Sequence, residues 1–169
     1  DVELTQKYII AKVNLLSFLG LVDGDLAIKN IDNIDNASYK GNIKLNDFDL
    51  GTLLSETDLG KATLDLNVDG KGFTQKLLNT FIVGAIDKFY YNGYTYQNIT
   101  VDGSMKMPYY KGYFNSNDPN LKMDFDGVID LSKKANNYDF KAQIDYADLY
   151  LLNLYKNDSL AIFKGNINF

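Results

Sequence analysis

Acidic and amide side chains that recur at every second position are the first candidates for chemistry in this sequence. Residues 65–70, DLNVDG, place oxygen ligands and a glycine as the first half of an EF-hand calcium loop does. The loop pattern then fails, because Lys76 stands where that loop has its bidentate glutamate. Leu66 and Val68 alternate with the polar residues, so we interpret the segment as a strand and predict no metal site.

Paired carboxylates could act as a general acid and a general base, and Asp124 and Asp126 would project from the same side of a strand. The chain contains no His, no Cys and no Arg. The commonest general base and the usual partners that complete a catalytic site are therefore missing. We interpret these carboxylates as solvated charges, and we predict that the protein is not an enzyme and needs no cofactor.

Tyrosines cluster in residues 90–96 and again in residues 109–113. Such a cluster can stack on sugars or bases, or it can pack across neighbouring strands around a hairpin. A net charge of -5 and a sequence pI of about 4.6 argue against a surface that binds phosphate groups. We therefore favour packing and exclude nucleic acid as a partner.

The elements that must position these side chains are strands. The composition, with 13 Gly, 2 Pro, 14% aromatic residues and 20 Asp against 2 Glu, favours strands and turns over helices. Apolar and polar residues alternate clearly in residues 41–46, 62–68, 121–131 and 138–146. The pattern predicts an all-β fold, a long and mostly antiparallel single sheet with one apolar face. No run of about 18 apolar residues is present, so no membrane-spanning helix is predicted.

Turn signals separate the strands. Asn92-Gly93 predicts a two-residue type I′ hairpin that pairs residues 86–91 with residues 94–101. Two stretches with an Asp at an N-cap position, residues 49–54 and 148–152, predict short helical turns, and their similarity suggests a repeat of about 100 residues. Further turns are predicted at Asp23-Gly24, residues 69–72, Asp102-Gly103, residues 117–120 and residues 132–137.

Five stretches of turn and strand sequence stand out: residues 33–41 (NIDNASYKG), 69–73 (DGKGF), 90–99 (YYNGYTYQNI), 116–121 (SNDPNL) and 152–158 (LNLYKND). Together they resemble the TamB proteins of the Bacteroidota, members of the AsmA-like group, over nearly the whole chain. The chain begins without Met and stops within an alternating run, so we expect residues 1–169 to be one segment of a much larger protein.

The resemblance implies a curved sheet folded into a groove, or β-taco, that forms the periplasmic body of a protein anchored in the inner membrane and reaching towards the outer membrane. Proteins of this group are implicated in moving phospholipid to the outer membrane and, for TamB, in assembling outer-membrane β-barrel proteins. Nothing in this chain matches the anchor or the C-terminal domain of such a protein. Any contact with a membrane would therefore be made by parts of the protein outside this chain.

On this interpretation the apolar face is a groove that shelters phospholipid acyl chains, with about 0.8 kcal/mol gained for each buried methylene. The residues expected to line the groove are Leu64, Leu66, Val68, Leu121, Met123, Phe125, Phe140 and Ile144, followed by Ile43, Leu45, Ile99 and Val101. Two alternatives remain open. The sheet could be a chaperone-like scaffold that assists outer-membrane β-barrel proteins by β-augmentation, or it could be a structural spacer or adhesin module with a closed core.

Overall fold

The computed structural model describes residues 8–30, 32–33, 35–72, 79–106, 109–130 and 138–169. Strands dominate them, and the only helix among them is one turn and a half long. The elements are β1 (Tyr8–Ser17), β2 (Gly20–Lys29), β3 (Ser38–Asp49), α1 (Leu50–Leu54), β4 (Leu59–Lys71), β5 (Asn79–Tyr91), β6 (Tyr94–Lys106), β7 (Tyr109–Asp118), β8 (Leu121–Asp130), β9 (Tyr138–Asp148) and β10 (Ile162–Asn168).

The strands form one antiparallel sheet in which each strand pairs with the next strand in the chain, in the order β1 to β10. This confirms the prediction of a single antiparallel sheet. The connections therefore alternate between the two ends of the strands. At one end of the strands the connections are residues 18–19, 50–58, 92–93, 119–120 and 149–161. We call this end of the sheet the turn edge.

The predicted turns at the turn edge are confirmed. Asn92 and Gly93 both have positive φ, 48° and 81°, as a type I′ hairpin requires. Helix α1 begins after Asp49, whose carboxylate accepts a hydrogen bond of 2.8 Å from the Thr52 backbone N–H. In the same way Asp148 accepts a hydrogen bond of 2.9 Å from the Leu151 N–H, where the chain makes helical turns without forming a helix.

Two other predicted turns are wrong. Asp23-Gly24 lies inside β2 and Asp102-Gly103 lies inside β6, where Gly24 pairs with Ile43 and Gly103 pairs with Gly112. Asp69-Gly70 likewise belongs to β4, and the turn predicted at residues 132–137 lies outside the described residues.

The Asp-Gly predictions fail because these glycines lie in the middle of strands and do not end them. Every strand from β2 to β8, and β10, has a glycine on the same face of the sheet: Gly24, Gly41, Gly70, Gly84, Gly103, Gly112, Gly127 and Gly165.

These glycines allow the strands to bend and approach their neighbours closely. Gly127 shows why the residue type is required. Its φ is +150°, a conformation that residues with a Cβ rarely adopt, and a Cβ at this position would overlap the carbonyl oxygen of Asp139 and the Cα of Phe140. Gly165 in β10 has no such neighbour, since the nearest atom to its Cβ position is a ring carbon of Phe163 at 3.5 Å.

Bulges add to the bend near the turn edge. Between Leu45 and Phe48 the pairing of β3 with β4 shifts by an extra residue, at Asp47, which has a φ of 49°. Asn98 of β6 has a similar φ of 52°. An extra residue of this kind kinks a strand and redirects the side chains that follow it. The pairing of β4 with β5 also shifts, and it leaves Ala62 opposite Phe89.

Gly127→Ala should lower the free energy of unfolding by about 2–4 kcal/mol, because the new methyl group meets backbone atoms and the φ is unfavourable. Gly165→Ala is the matched control and should change it by less than about 1 kcal/mol. Urea unfolding followed by circular dichroism measures both. Equal effects of the two substitutions would contradict this account of the glycines.

Candidate functional site

The register of the sheet places all twelve predicted groove residues on one face, which we call the inner face. Successive cross-strand partners form four rows that run across the strands. The first row is Val22, Leu45, Leu64, Ile86, Ile99, Ser116, Met123 and Ile144. The second is Gly24, Ile43, Leu66, Gly84, Val101, Phe114, Phe125 and Ala142.

The remaining two rows lie farther from the turn edge. The third row is Leu26, Gly41, Val68, Ile82, Gly103, Gly112, Gly127 and Phe140. The fourth is Ile28, Tyr39, Gly70, Thr80, Met105, Tyr110 and Ile129. Leu121 is the one predicted residue outside these four rows. It lies on the same face, one row nearer the turn edge than the first row, and pairs with Asp118 and Ala147.

None of these four rows contains an Asp, Glu or Lys in the described strands. The two hydroxyl groups that face inward, apart from those of the tyrosines, are satisfied by the backbone. Thr80 donates to the carbonyl of Phe81 over 3.2 Å, and Ser116 donates to the carbonyl of Leu121 over 2.9 Å. The face therefore offers hydrocarbon to a ligand and leaves neither hydroxyl without an acceptor.

The inner face is only partly shielded from solvent. Val68, Ile99, Val101 and Phe125 are buried, with Phe125 5% exposed, whereas the other eight predicted residues are half-buried. Exposure rises towards the ends of the sheet, where Leu15 in β1 is 54% exposed. The rows are thus more accessible than the core of a closed two-layer sandwich would be.

Aromatic rings lie over the glycines at the C-terminal half of the inner face. Ring centroids are 6.2 Å apart for Tyr110 and Phe125, 5.2 Å for Phe125 and Phe140, and 5.6 Å for Phe140 and Phe169. The Tyr110 hydroxyl lies 3.1 Å from where a Cβ on Gly103 would stand. The glycines therefore provide the space that these rings occupy. The sequence signal that could have revealed this arrangement is the recurrence of single glycines, such as Gly103, Gly112 and Gly127, within successive strand segments.

The outer face holds the aspartates of β4 and β8 that were candidates for metal binding and for acid–base chemistry. Across β3 and β4, Lys40 pairs with Asp69 at 2.7 Å and Lys44 pairs with Asp65 at 2.8 Å. Hydrogen bonds from Asn42 and Lys44 lower the pKa of Asp65. Because these side chains are exposed, each pair stabilises the fold only slightly. The segment with half of a calcium-loop pattern is thus one stretch of β4 whose carboxylates bind lysines.

The paired carboxylates on β8 behave similarly. Asp124 accepts hydrogen bonds from the Tyr113 hydroxyl at 2.5 Å and from the Asn115 amide at 2.7 Å, and these bonds lower its pKa. A lowered pKa keeps this carboxylate ionised at neutral pH, which is unsuitable for a general acid. Asp126 is exposed on the same outer face.

A polar cluster does enter the inner side at the turn edge. Asp118 is 0% exposed and accepts hydrogen bonds from the Tyr94 hydroxyl at 2.5 Å, the Gln97 N–H at 2.7 Å and the Asn120 N–H at 2.8 Å. Burial, together with the hydrogen bond to Asp118, raises the pKa of Tyr94 to about 12. Tyr94 also packs edge to face with Tyr96, at 4.8 Å between ring centroids. Tyr94 and Tyr96 of the hairpin therefore serve packing and a buried hydrogen-bond network, whereas Tyr90 and Tyr91 are exposed.

Comparison with protein-family models, with curated proteins and with solved structures finds no match to this chain. Among the residues that the structure describes, no helix has the length and apolar character needed to cross a bilayer. In the same residues no three His, Cys, Asp or Glu side chains are grouped as a metal site requires.

The raised pKa of Tyr94 predicts a pH dependence of stability. The folded protein holds the phenol proton more tightly than the unfolded chain does, so this contribution is complete below about pH 10 and is lost as the pH rises to about 12. The difference in unfolding free energy between the wild type and Tyr94→Phe should therefore shrink over that range. Tyr90→Phe, at an exposed ring of the same hairpin, is the control. A difference that stays constant with pH would contradict the assignment.

Proposed function

We propose that this chain is a non-catalytic stretch of a lipid-carrying groove whose inner face shelters phospholipid acyl chains while the head groups stay in water. The observation that carries the proposal is the set of four apolar rows, which continue across the strands without a charged residue. The resemblance to TamB proteins supports the same function. We propose the setting that this resemblance implies, in which the chain lies in the periplasm as part of a bridge between the inner and outer membranes.

The energetics of the inner face suit an acyl chain. Each methylene transferred from water to such a surface contributes about 0.8 kcal/mol, and an acyl chain needs no hydrogen-bonding partner. Neighbouring strands are spaced by about 4.8 Å, so uncharged positions, most of them apolar side chains or glycines, recur at that interval along each row. A ligand held by such a surface can shift from one strand to the next without crossing a charged position.

Eight of the twelve predicted residues, Leu45, Leu64 and Leu66 among them, are half-buried, and this favours a groove over a spacer with a closed core. A closed core of two layers would bury such residues almost completely. Val68, Ile99, Val101 and Phe125 are the exceptions, and the burial of Phe125 follows from its contacts with the rings of Tyr110 and Phe140.

The proposal predicts that the purified protein carries phospholipid and that Leu66→Lys reduces the bound amount at least about tenfold while the sheet remains folded. A charge in the second row would have to be buried beside the acyl chains, which is unfavourable. Asn67→Lys, one residue along the same strand on the outer face, is the matched control and should bind lipid as the wild type does. Native mass spectrometry and lipid extraction measure the bound lipid, and urea unfolding measures the fold.

Two results would refute the groove. One is a wild-type protein without lipid after reconstitution with phospholipid vesicles. The other is complete unfolding by Leu66→Lys, as expected for a closed core. Phe125→Lys should unfold the protein whether the face is an open groove or a closed core, because Phe125 is buried. This substitution therefore does not distinguish the two hypotheses.

A second function is favoured by the edges of the sheet. In the described residues β1 pairs only with β2 and β10 pairs only with β9, and both edge strands expose apolar side chains, with Leu16 79% and Ile162 53% exposed. Such an edge can accept an extended segment of another protein by β-augmentation, as a chaperone for outer-membrane β-barrel proteins would. Photocrosslinking from β1 or β10 to an unfolded barrel protein, with no lipid bound, would support this function and oppose the groove.

A further inference from the structure

The connection between β9 and β10, residues 149–161, forms a compact loop at the turn edge. We call residues 149–157 of this loop the strap. The two ends of this loop are joined by a hydrogen bond of 2.9 Å from the Leu149 N–H to the Ala161 carbonyl. Its first turn is helical, with the Leu152 N–H donating to the Asp148 carbonyl over 3.0 Å. Backbone hydrogen bonds therefore hold this loop at its two ends and in its first turn.

The strap reaches back to the hairpin between β5 and β6. The Asn153 side-chain amide donates to the Asn92 carbonyl over 2.9 Å, and it lies where a side chain on Gly93 would stand. The Asn92 N–H in turn donates to the Asp58 carbonyl over 2.8 Å. Strands β7 and β8 lie between β9 and this hairpin, so the strap extends past both of them. The Asn92-Gly93 turn thus joins the two long connections of the turn edge, residues 50–58 and 149–161.

Several residues on this side of the sheet are deeply buried. Leu152 of the strap is 0% exposed, and Ala147 at the end of β9 is also buried. Ala62 of β4 is 1% exposed although it continues the same side of the strand as Leu64, which is only half-buried. The difference arises within two residues of one strand. The inner side is therefore more deeply buried at Ala62, next to the turn edge, than at Leu64 in the first row.

We propose that the strap closes the groove along the turn edge, so that an apolar ligand occupies the four rows and does not reach the inner side chains beneath the strap. The closure itself follows from the hydrogen bond to Asn92 and the burial of Leu152. The identity of the ligand as a phospholipid acyl chain rests on the proposed function.

The absence of cysteine allows a direct test with single-cysteine variants. Ala62→Cys, next to the turn edge, is compared with Leu64→Cys, in the first row, by the rate of alkylation with iodoacetamide. With the strap intact, the thiol at position 62 should react at least about tenfold more slowly than the thiol at position 64. Loosening the strap with Leu152→Ala and Asn153→Ala should raise the rate at position 62 at least about tenfold and leave the rate at position 64 unchanged.

Leu154→Ala is the matched control within the strap, because Leu154 is 62% exposed and its truncation should not change either rate. If Ala62→Cys does not fold, Ala147→Cys gives the same comparison, since Ala147 is 3% exposed. Equal rates at positions 62 and 64 with the strap intact would overturn the closure. So would a rate at position 62 that stays low after the strap is loosened.

A photolabelling experiment separates the closure from the lipid function. Phospholipid with a diazirine in its acyl chain should label the first and second rows of the wild type and leave Phe48 and Phe89, the cross-strand partners of Ala62, unlabelled. Labelling of these two residues at the level of the rows would refute the closure alone. No labelling anywhere, together with the expected alkylation rates, would refute the lipid function and support the closure.

Discussion

Strand register is the constraint on which the rest of the structure depends. Side chains alternate between the two faces of a strand, so a slip of one residue between any two neighbours would place lysines and aspartates among the apolar rows. The outer face helps to prevent such a slip, because Lys40 and Lys44 each bind an aspartate directly opposite on β4. The energy of each exposed pair is small, but the alternative register would bury the same charges, which is far more costly.

The glycines explain how one sheet can have an apolar face without a second layer that covers it. A bend at a glycine brings the inner side chains of one strand closer to each other, and the Tyr110, Phe125 and Phe140 rings then fill the space that missing side chains leave. The face consequently shields part of its own surface. The bulge at Asp47 and the positive φ of Asn98 lie near the turn edge, where the strands end in a buried polar cluster around Asp118.

The sequence was sufficient to assign the inner face in the clearly alternating segments, because alternation is a local signal, and all twelve predicted groove residues lie on that face. It was also sufficient for the Asn92-Gly93 hairpin, whose two positive φ angles suit that dipeptide. It failed at Asp23-Gly24 and Asp102-Gly103, because an Asp-Gly pair that bends a strand has the same local signature as one that ends it. The strap could not be foreseen, since its hydrogen bond joins Asn153 to Asn92 across 61 positions of the chain.

The meander order has a consequence for how the molecule assembles. When every strand pairs with its immediate successor, each new strand needs only the strand already in place, and the loops to be closed are short. Such a sheet can grow progressively from its first hairpin as the polypeptide is delivered, without waiting for a distant segment. The contact between residues 153 and 92 is an exception to this order, because it can form only when β9 has been added, so the covered side of the molecule is completed last.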